Sequence, residues 1–337
     1  MAWYNTTGKA CDTVISSRVR LARNLNGYPF ASKLDIAGAN EIIEKVSAPL
    51  ESSGFRKINF ADLSPIMATS YVERHYVSPE FATKDTPHAL LLQEQSGIAV
   101  MVCEEDHLRI QAILPGLSLE EAYQNALRAE KRLDEDFDFA YSEQLGYLTH
   151  CPTNLGTGMR ASVMMFLPAL THGGYMDSLA TQLSKIGLTM RGLFGEGSGA
   201  AGCMYQISNQ ITLGITEEET LRKLGEAIKQ INESEHKARK AITGDVLDRL
   251  TDRIKRAEGT LKYAYMLSSS EFIKLFADVR FGIALGIVED INYEQLGTLL
   301  VEAMPATLTL STENPPKTEA ARDKLRAQKI QSVLQNK

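Results

Sequence analysis

The run from Gly97 to Arg109 constrains the fold most. Gly97-Ile-Ala-Val-Met-Val102 is an unbroken apolar stretch of strand length, and it opens directly into Cys103-Glu-Glu-Asp-His-Leu-Arg109. A chain that buries the first half must bring three acids, a histidine and an arginine to the end of a strand. Adjacent acids repel one another unless cations, a metal ion or a positively charged substrate face them. His88–Gln95 reads as the partner strand, joined through Ser96-Gly97. His107–Leu114 reads as the next strand, stopping at Pro115-Gly116.

Other elements follow from periodicity. Residues 12–24 partly alternate and predict a strand on which Arg18 and Arg20, two apart, point to one face. Asn40–Ser52 predicts a helix ending near Gly54. Ser118-Leu-Glu-Glu121 and Thr216-Glu-Glu-Glu219 are capping-box patterns that open helices. The second helix carries Leu221, Leu224, Ile228 and Ile231 on one stripe. Ala161–Leu170 predicts a helix, Leu188–Gly202 a Gly-rich segment, Phe137–Thr149 a β-rich one and Met204–Leu213 a strand. Beyond about residue 240 the spacing of Leu247, Leu250, Ile254 and Leu261 is helical, and a charged helix over Thr318–Gln335 closes the chain. The prediction is an α+β domain over 1–240 and a small all-helical domain over 241–337.

Composition excludes several classes. The 337 residues carry a net charge of −6, so no overall basic field awaits nucleic acid. No apolar run reaches membrane length, and the first residues do not read as a signal peptide, which makes the cytoplasm the expected location. Cys11, Cys103, Cys151 and Cys203 are far apart, with neither zinc-ligand spacing nor a disulfide pattern. His75, His88, His150, His172 and His236 form no ligand spacing, and no metal site is predicted. Gly197-Ser-Gly199-Ala-Ala-Gly202 matches G-x-G-x-x-G, but a strand follows where a dinucleotide fold needs a helix. The P-loop and protein-kinase signatures are absent.

Arginines stand out by placement. Arg18 and Arg20 share one face of a strand, Arg109 ends the acid cluster, Arg160 ends a Gly-rich loop and Arg191 opens another Gly-rich run. Each alone reads as a surface ion pair. Together they suggest a polyphosphate site, because a guanidinium matches phosphate bidentately and Gly-rich turns expose N–H groups to anions. Four blocks then carry a resemblance: Ser16-Ser-Arg-Val-Arg20, Glu104-Glu-Asp-His-Leu-Arg109, Cys151-Pro-Thr-Asn-Leu-Gly-Thr-Gly-Met-Arg160 and Arg191-Gly-Leu-Phe-Gly-Glu196. In this order they resemble the signature blocks of the phosphagen (guanidino) kinases, in particular the bacterial branch that phosphorylates arginine side chains in proteins.

The resemblance implies a glutamine-synthetase-like fold, an antiparallel sheet flanked by helices. It implies ATP and Mg²⁺, with Arg18, Arg20, Arg109, Arg160 and Arg191 on the nucleotide phosphates and Ser17 and His107 in the same blocks. It also implies Glu105 and Glu196 as the catalytic carboxylates and Cys151 as the reactive cysteine beside the guanidinium; Asn154 sits in the same block. The chemistry agrees. A protonated guanidinium is a poor nucleophile, and paired carboxylates can clamp its planar fork and take a proton. Arginines and Mg²⁺ spread positive charge over the moving phosphoryl group. Glu104 and Asp106 also read as solvated or paired acids, and Cys151 as a packed thiol.

Kinases of free guanidino metabolites carry a helical domain ahead of the first block, whereas 15 residues precede Ser16 here. The expectation is an open site that takes a guanidinium borne on a protein. The helical C-terminal domain implies a homodimer. Arg322-Asp323-Lys-Leu-Arg326-Ala327 resembles that branch's allosteric phosphoarginine site, with Arg322 and Arg326 on the phosphoryl group and Asp323 on the guanidinium; the spacing alone reads as a charged surface helix. The same resemblance implies a role in bacterial stress response and protein quality control. Its implied partners are a zinc-binding activator protein, a Clp-type unfoldase and a heat-shock repressor. A kinase of a free guanidino metabolite and a non-catalytic phosphoarginine reader are the alternatives.

Overall fold

The computed structural model describes residues 2–192 and 201–335. Its strands are β1 (Val14–Arg23), β2 (Arg56–Asn59), β3 (Ala89–Gln93), β4 (Ile98–Val102), β5 (Leu108–Pro115), β6 (Tyr141–Ser142), β7 (Gly146–Tyr147), β8 (Met159–Phe166), β9 (Leu188–Gly192) and β10 (Met204–Asn209). Eight of them form one antiparallel sheet in the order β2-β3-β4-β5-β1-β8-β10-β9, with β6 and β7 a separate hairpin. The helices are α1 (Ile36–Ser52), α2 (Pro65–Glu73), α3 (Pro79–Ala82), α4 (Leu119–Asp134), α5 (Pro168–His172), α6 (Met176–Lys185) and α7 (Glu217–Lys240). After these come α8 (Gly244–Tyr263), α9 (Ser269–Ala284), α10 (Tyr293–Glu302), α11 (Pro305–Leu310) and α12 (Glu319–Gln335).

The pleat divides the sheet's side chains by parity. Val19, Leu21, Val100, Val102, Ile110, Ala161 and Val163 point to one face and pack under α1, α4 and α7. Among the described residues, the other face is covered by apolar side chains only at its two ends. Leu90, Leu92, Ala99, Met101 and Ile113 meet Trp3, Tyr76 and Phe81 at one end. Phe166 and Met204 meet the C-terminal helices at the other. Between these covers lies a stretch of the central strands that no helix occupies with apolar side chains, and the arginines are there.

Three expectations fail locally. Ala161–Leu170 is not a helix: β8 runs through Met159–Phe166 at the sheet's centre, and α5 begins only at Pro168. A central strand buried on both faces carries a continuous apolar run, which periodicity alone cannot tell from a buried helix. Leu188–Gly192 is an edge strand rather than loop. Ser118 opens α4 without capping it, because its hydroxyl donates to the Pro115 carbonyl and its amide donates to Ser17 Oγ. Thr216 does cap α7, accepting from the Glu219 amide.

One glycine is sterically required in the β3–β4 turn. Gly97 has φ +67°, and a Cβ there would stand 2.2 Å from the Ile113 carbonyl oxygen. The helices after α7 meet the sheet and the N-terminal segment through Arg280 of α9, among other contacts. Its guanidinium lies between the Phe166 and Tyr293 rings and donates to the Cys11 carbonyl. Beside it Asp12 accepts from Arg239 at 2.8 Å.

Candidate active site

Sheet register gathers the five arginines. Directly opposed residues of antiparallel strands project to the same face. Arg20 lies opposite Gln111 on β5 and Arg160 on β8, and Ala22 opposite Arg109. Met164 lies opposite Gln206, and Gln206 opposite Arg191. Arg18, Arg20, Arg109, Arg160 and Arg191 therefore share one face across β5, β1, β8 and β9. Arg18 reaches over β8 to donate to Gln206 Oε1 at 3.1 Å.

These cations stand together with little counter-charge. Burial, then Arg109 and Arg160, lowers the Arg18 pKa to about 10. Burial, then Arg18, Arg109 and Arg160, pushes Arg20 well down, with Glu104 the opposing acid. Arg160 is lowered by burial, then by Arg191 and Arg109, and the Cys151 thiol opposes this. The Nε–H groups of Arg20 and Arg160 are shielded and have no hydrogen-bond partner among the described residues. Unsatisfied charged donors that repel one another destabilise a fold unless an anion fills the gap. The face is built for a polyanion.

The acid turn sits at the edge of this face and is tied down nearly everywhere. Cys103 takes φ +61°, a left-handed conformation unusual for a side chain other than glycine. Its amide donates to the His107 carbonyl at 2.8 Å. Lys84 Nζ donates to the carbonyls of Cys103 at 2.5 Å and Glu104 at 2.8 Å. The Glu104 carboxylate takes Arg109 at 2.6 Å, Ser78 at 3.0 Å and the Glu105 amide at 2.7 Å. Buried Asp106 accepts from Asn24 at 2.7 Å and from the His150 amide at 2.6 Å, which clips the Cys151 loop to the turn. What remains is the exposed Glu105 side chain. Burial, then Asp106 and Glu104, raises its pKa, with Arg109 and His150 opposing.

Cys151 is partly exposed just before the turn Pro152–Asn154, with Sγ 3.0 Å from Thr153 Oγ1. The Asn154 amide donates back to the Cys151 carbonyl at 3.0 Å. Glu196 lies outside the described residues.

Two members of the signature blocks do not face the site. Ser17 is buried on the opposite parity from Arg18 and Arg20; its hydroxyl donates to the Gly116 carbonyl at 2.8 Å and accepts from the Ser118 amide at 3.0 Å. Ser17 staples β1 to the start of α4. His107 is wholly buried, with Nδ1 accepting from the Leu25 amide at 3.0 Å and Nε2 2.7 Å from the Pro29 carbonyl. That pattern fixes the Nε2–H tautomer and spends both nitrogens on the backbone.

Other residues at the site carried no sequence signal. His75 takes φ +61° and lies near Arg18, where burial and that charge lower its pKa to about 4 and keep it neutral. Gln206 and Lys84 belong to no motif, and only the folded sheet brings them in. Replacing Lys84 with methionine should free the turn that presents Glu105. The expected outcome is a kcat reduced by about tenfold with the KM for ATP unchanged, read by initial-rate kinetics.

In α12 the three C-terminal candidates differ. Arg326 is fully buried, donating to the carbonyls of Ala303 at 3.0 Å and Leu267 at 2.6 Å and to Asp323 at 2.5 Å. The charged-surface-helix reading thus fails at Arg326, which ties α12 to the segment before α9 and to the end of α10. Arg322 is partly buried. Shielded, unpartnered nitrogens remain at Arg322 Nε and Arg326 Nη2. Arg326→Met should cost roughly 3–5 kcal/mol of stability, because it strands buried acceptors and an acid; thermal or denaturant unfolding measures it.

Comparison with known proteins agrees with this geometry. The model of the ATP:guanido phosphotransferase C-terminal catalytic domain matches residues 39–238, and the model described as the protein-arginine kinase McsB C-terminal domain matches 247–337. A protein-arginine kinase from Clostridium acetobutylicum is 42% identical over 311 residues, 91% of this chain and 92% of the relative. One from Halothermothrix orenii is 39% identical over 335 residues, 98% of this chain and 96% of the relative. Among solved structures, the duplicated taurocyamine kinase of Schistosoma mansoni with bound transition-state analogue components aligns with a TM-score of 0.61 at 25% identity. That alignment covers 79% of this chain and 40% of the duplicated protein. Lombricine kinase aligns at 0.58 and 22% identity, over 67% of each chain, and bears on the fold alone. With both domain models matched in order and these relatives spanning nine-tenths of its length, the chain belongs to the protein-arginine kinases of the ATP:guanido phosphotransferase family.

Proposed function

We propose that this kinase transfers the γ-phosphoryl group of ATP to arginine side chains of proteins, with Glu105 as the carboxylate that orients the guanidinium and accepts its proton. The observation that carries the reading is the pairing of a five-arginine sheet face with one unengaged carboxylate at its edge. The arginines hold the triphosphate, and Mg²⁺ accompanies ATP as a phosphate-bound ion that spreads charge over the γ-phosphate. Shielded Nε groups on Arg20 and Arg160 suit phosphate oxygens. Glu196 is the second carboxylate in this proposal, and Cys151 lies beside the guanidinium. Incubation with ATP and an arginine-containing protein should yield acid-labile phosphate on arginine. Its absence, or equal turnover of free arginine, would overturn the substrate assignment.

The division into a catalytic unit over 1–240 and a helical unit over 241–337 is part of the proposal. The helical unit makes the homodimer; exposed Tyr263 and Tyr265 support an apolar contact there. Arg322, Asp323 and Arg326 bind phosphoarginine as an allosteric ligand, and the unpartnered nitrogens of the two arginines support it. The setting is the bacterial cytoplasm, in stress response and protein quality control. The partners are a zinc-binding activator protein, a Clp-type unfoldase and a heat-shock repressor. Among the described residues no helix is long and apolar enough to cross a membrane. Light scattering tests the dimer, and calorimetry with phosphoarginine tests the allosteric site.

A further inference from the structure

The cavity at the acid turn does not end there. It has a volume of about 480 Å³, lined by Glu105, Arg109, Glu104, Lys84, Phe81 and Glu80. Lys84 also lines two more cavities, of about 400 and 690 Å³, and these two share Ile36, Thr86 and Pro87 as well. The three hollows thus meet at Lys84, with Glu105 on one side and the start of α1 and α2 on the other. A single guanidinium needs only the first.

The outer hollows have a defined chemistry. Their lining is apolar at Leu34, Ile36, Leu63 and Pro87, and acidic at Asp35, Glu44, Asp62 and Asp85; Asp35 caps α1 through the Gly38 amide and Glu44 pairs with Lys57 at 2.6 Å, which leaves Asp62 and Asp85 as the acids with most charge to spare. Ile36 is 69% exposed and lines both outer hollows. Among the described residues Lys84 is the one lysine or arginine lining the outer hollows, and its ammonium is committed to the Cys103 and Glu104 carbonyls; His88, also there, is disfavoured as a cation by burial. A segment with acids of its own would be repelled, whereas one that is neutral or basic with an apolar side chain fits.

We infer that this trench docks the extended stretch of substrate polypeptide flanking the target arginine, with an apolar side chain of that stretch seated against Ile36 and Pro87. The inference rests on the kinase reading above and adds to it how the enzyme holds a protein rather than a free guanidine. The shared wall at Lys84 identifies the occupant: a polypeptide that places an arginine at Glu105 carries its neighbours past Lys84 and over the outer hollows on its other side. Unfolded segments, which expose apolar residues beside arginines, meet this requirement.

Ile36→Gln is a mild test, because Ile36 is the first residue of α1, exposed, and preceded by the capping Asp35. Asp85→Lys tests the charge independently. Three substrates suffice: Nα-acetyl-arginine methylamide, a basic arginine peptide with flanking leucines and lysines, and the same peptide with those leucines changed to glycine. The full-length enzyme should show a KM for the leucine peptide about five- to tenfold below that for the glycine peptide. Ile36→Gln should erase the difference, Asp85→Lys should raise KM for a basic peptide, and kcat and the methylamide KM should not move. Turnover with equal KM for the two peptides, or a leucine preference that survives both variants, overturns the trench alone. No phosphorylation of any of the three by the unaltered enzyme overturns the kinase reading, and the trench with it.

Discussion

Replacing Glu105 with glutamine is expected to lower kcat by about 10²–10⁴-fold while leaving the thermal midpoint unchanged or slightly raised. The two halves of that expectation have one cause. Every other polar group of the acid turn is engaged: Glu104 by Arg109 and Ser78, Asp106 by Asn24 and the His150 amide, the carbonyls by Lys84. The Glu105 amide donates to Glu104, but among the described residues its carboxylate makes no hydrogen bond that holds the turn. Its raised pKa means the folded state disfavours its charged form, through burial and the neighbouring Asp106 and Glu104. An acid whose folded pKa lies above its unfolded value weakens the fold at neutral pH, and that penalty fades as pH falls through the raised value. Glutamine keeps the shape, removes the repulsion and cannot accept a proton. The acid limb of kcat/KM should accordingly appear at a pH above that of an ordinary glutamate, because only the ionised form clamps a guanidinium. A variant with full activity, or one that unfolds well below the parent, would show that Glu105 holds the turn rather than performs the chemistry.

Much of the site was legible before the fold, and the reason is parity. Arg18 and Arg20 fall two apart on a strand, with Val19 and Leu21 on the alternate positions, so their common face follows from the chain alone. The same counting places Ser17 on the opposite face, where it staples Gly116 and Ser118; block membership suggested a nucleotide ligand and alternation contradicted it. His107 looked chemical because of its neighbours, yet its two nitrogens belong to the Leu25 and Pro29 backbone. The helix expected over Ala161–Leu170 failed because Ser-Val-Met-Met-Phe has no alternation to read once both faces of β8 are buried. His75, Lys84 and Gln206 were invisible for a different reason. They reach the site only through contacts across distant strands and loops, which no local pattern encodes.

Arg20→Met separates binding from folding in the opposite direction. The variant should lose affinity for ATP by at least about thirtyfold, from the 2 kcal/mol or more that a truncated charged contact costs. It should nevertheless unfold at a higher temperature than the parent when no nucleotide is present. Arg20 sits beside Arg18, Arg109 and Arg160, and its Nε–H has no partner. A depressed arginine pKa places the cost on the folded state throughout the pH range below it, so removing the charge relieves strain at neutral pH. Methionine fills similar space with an apolar stem, and exchanging an unsatisfied buried charge for apolar packing is commonly neutral or stabilising. Adding inorganic triphosphate to the parent should raise its midpoint, since an anion that binds only the folded state stabilises it by mass action. The same addition to Arg20→Met should move the midpoint far less. Thermal melts of both proteins with and without triphosphate, beside equilibrium binding of ATP, decide the matter. If Arg20→Met melts below the parent without nucleotide, the arginine face is a structural network that already has its counter-charges, and its role as a strained anion cradle is wrong.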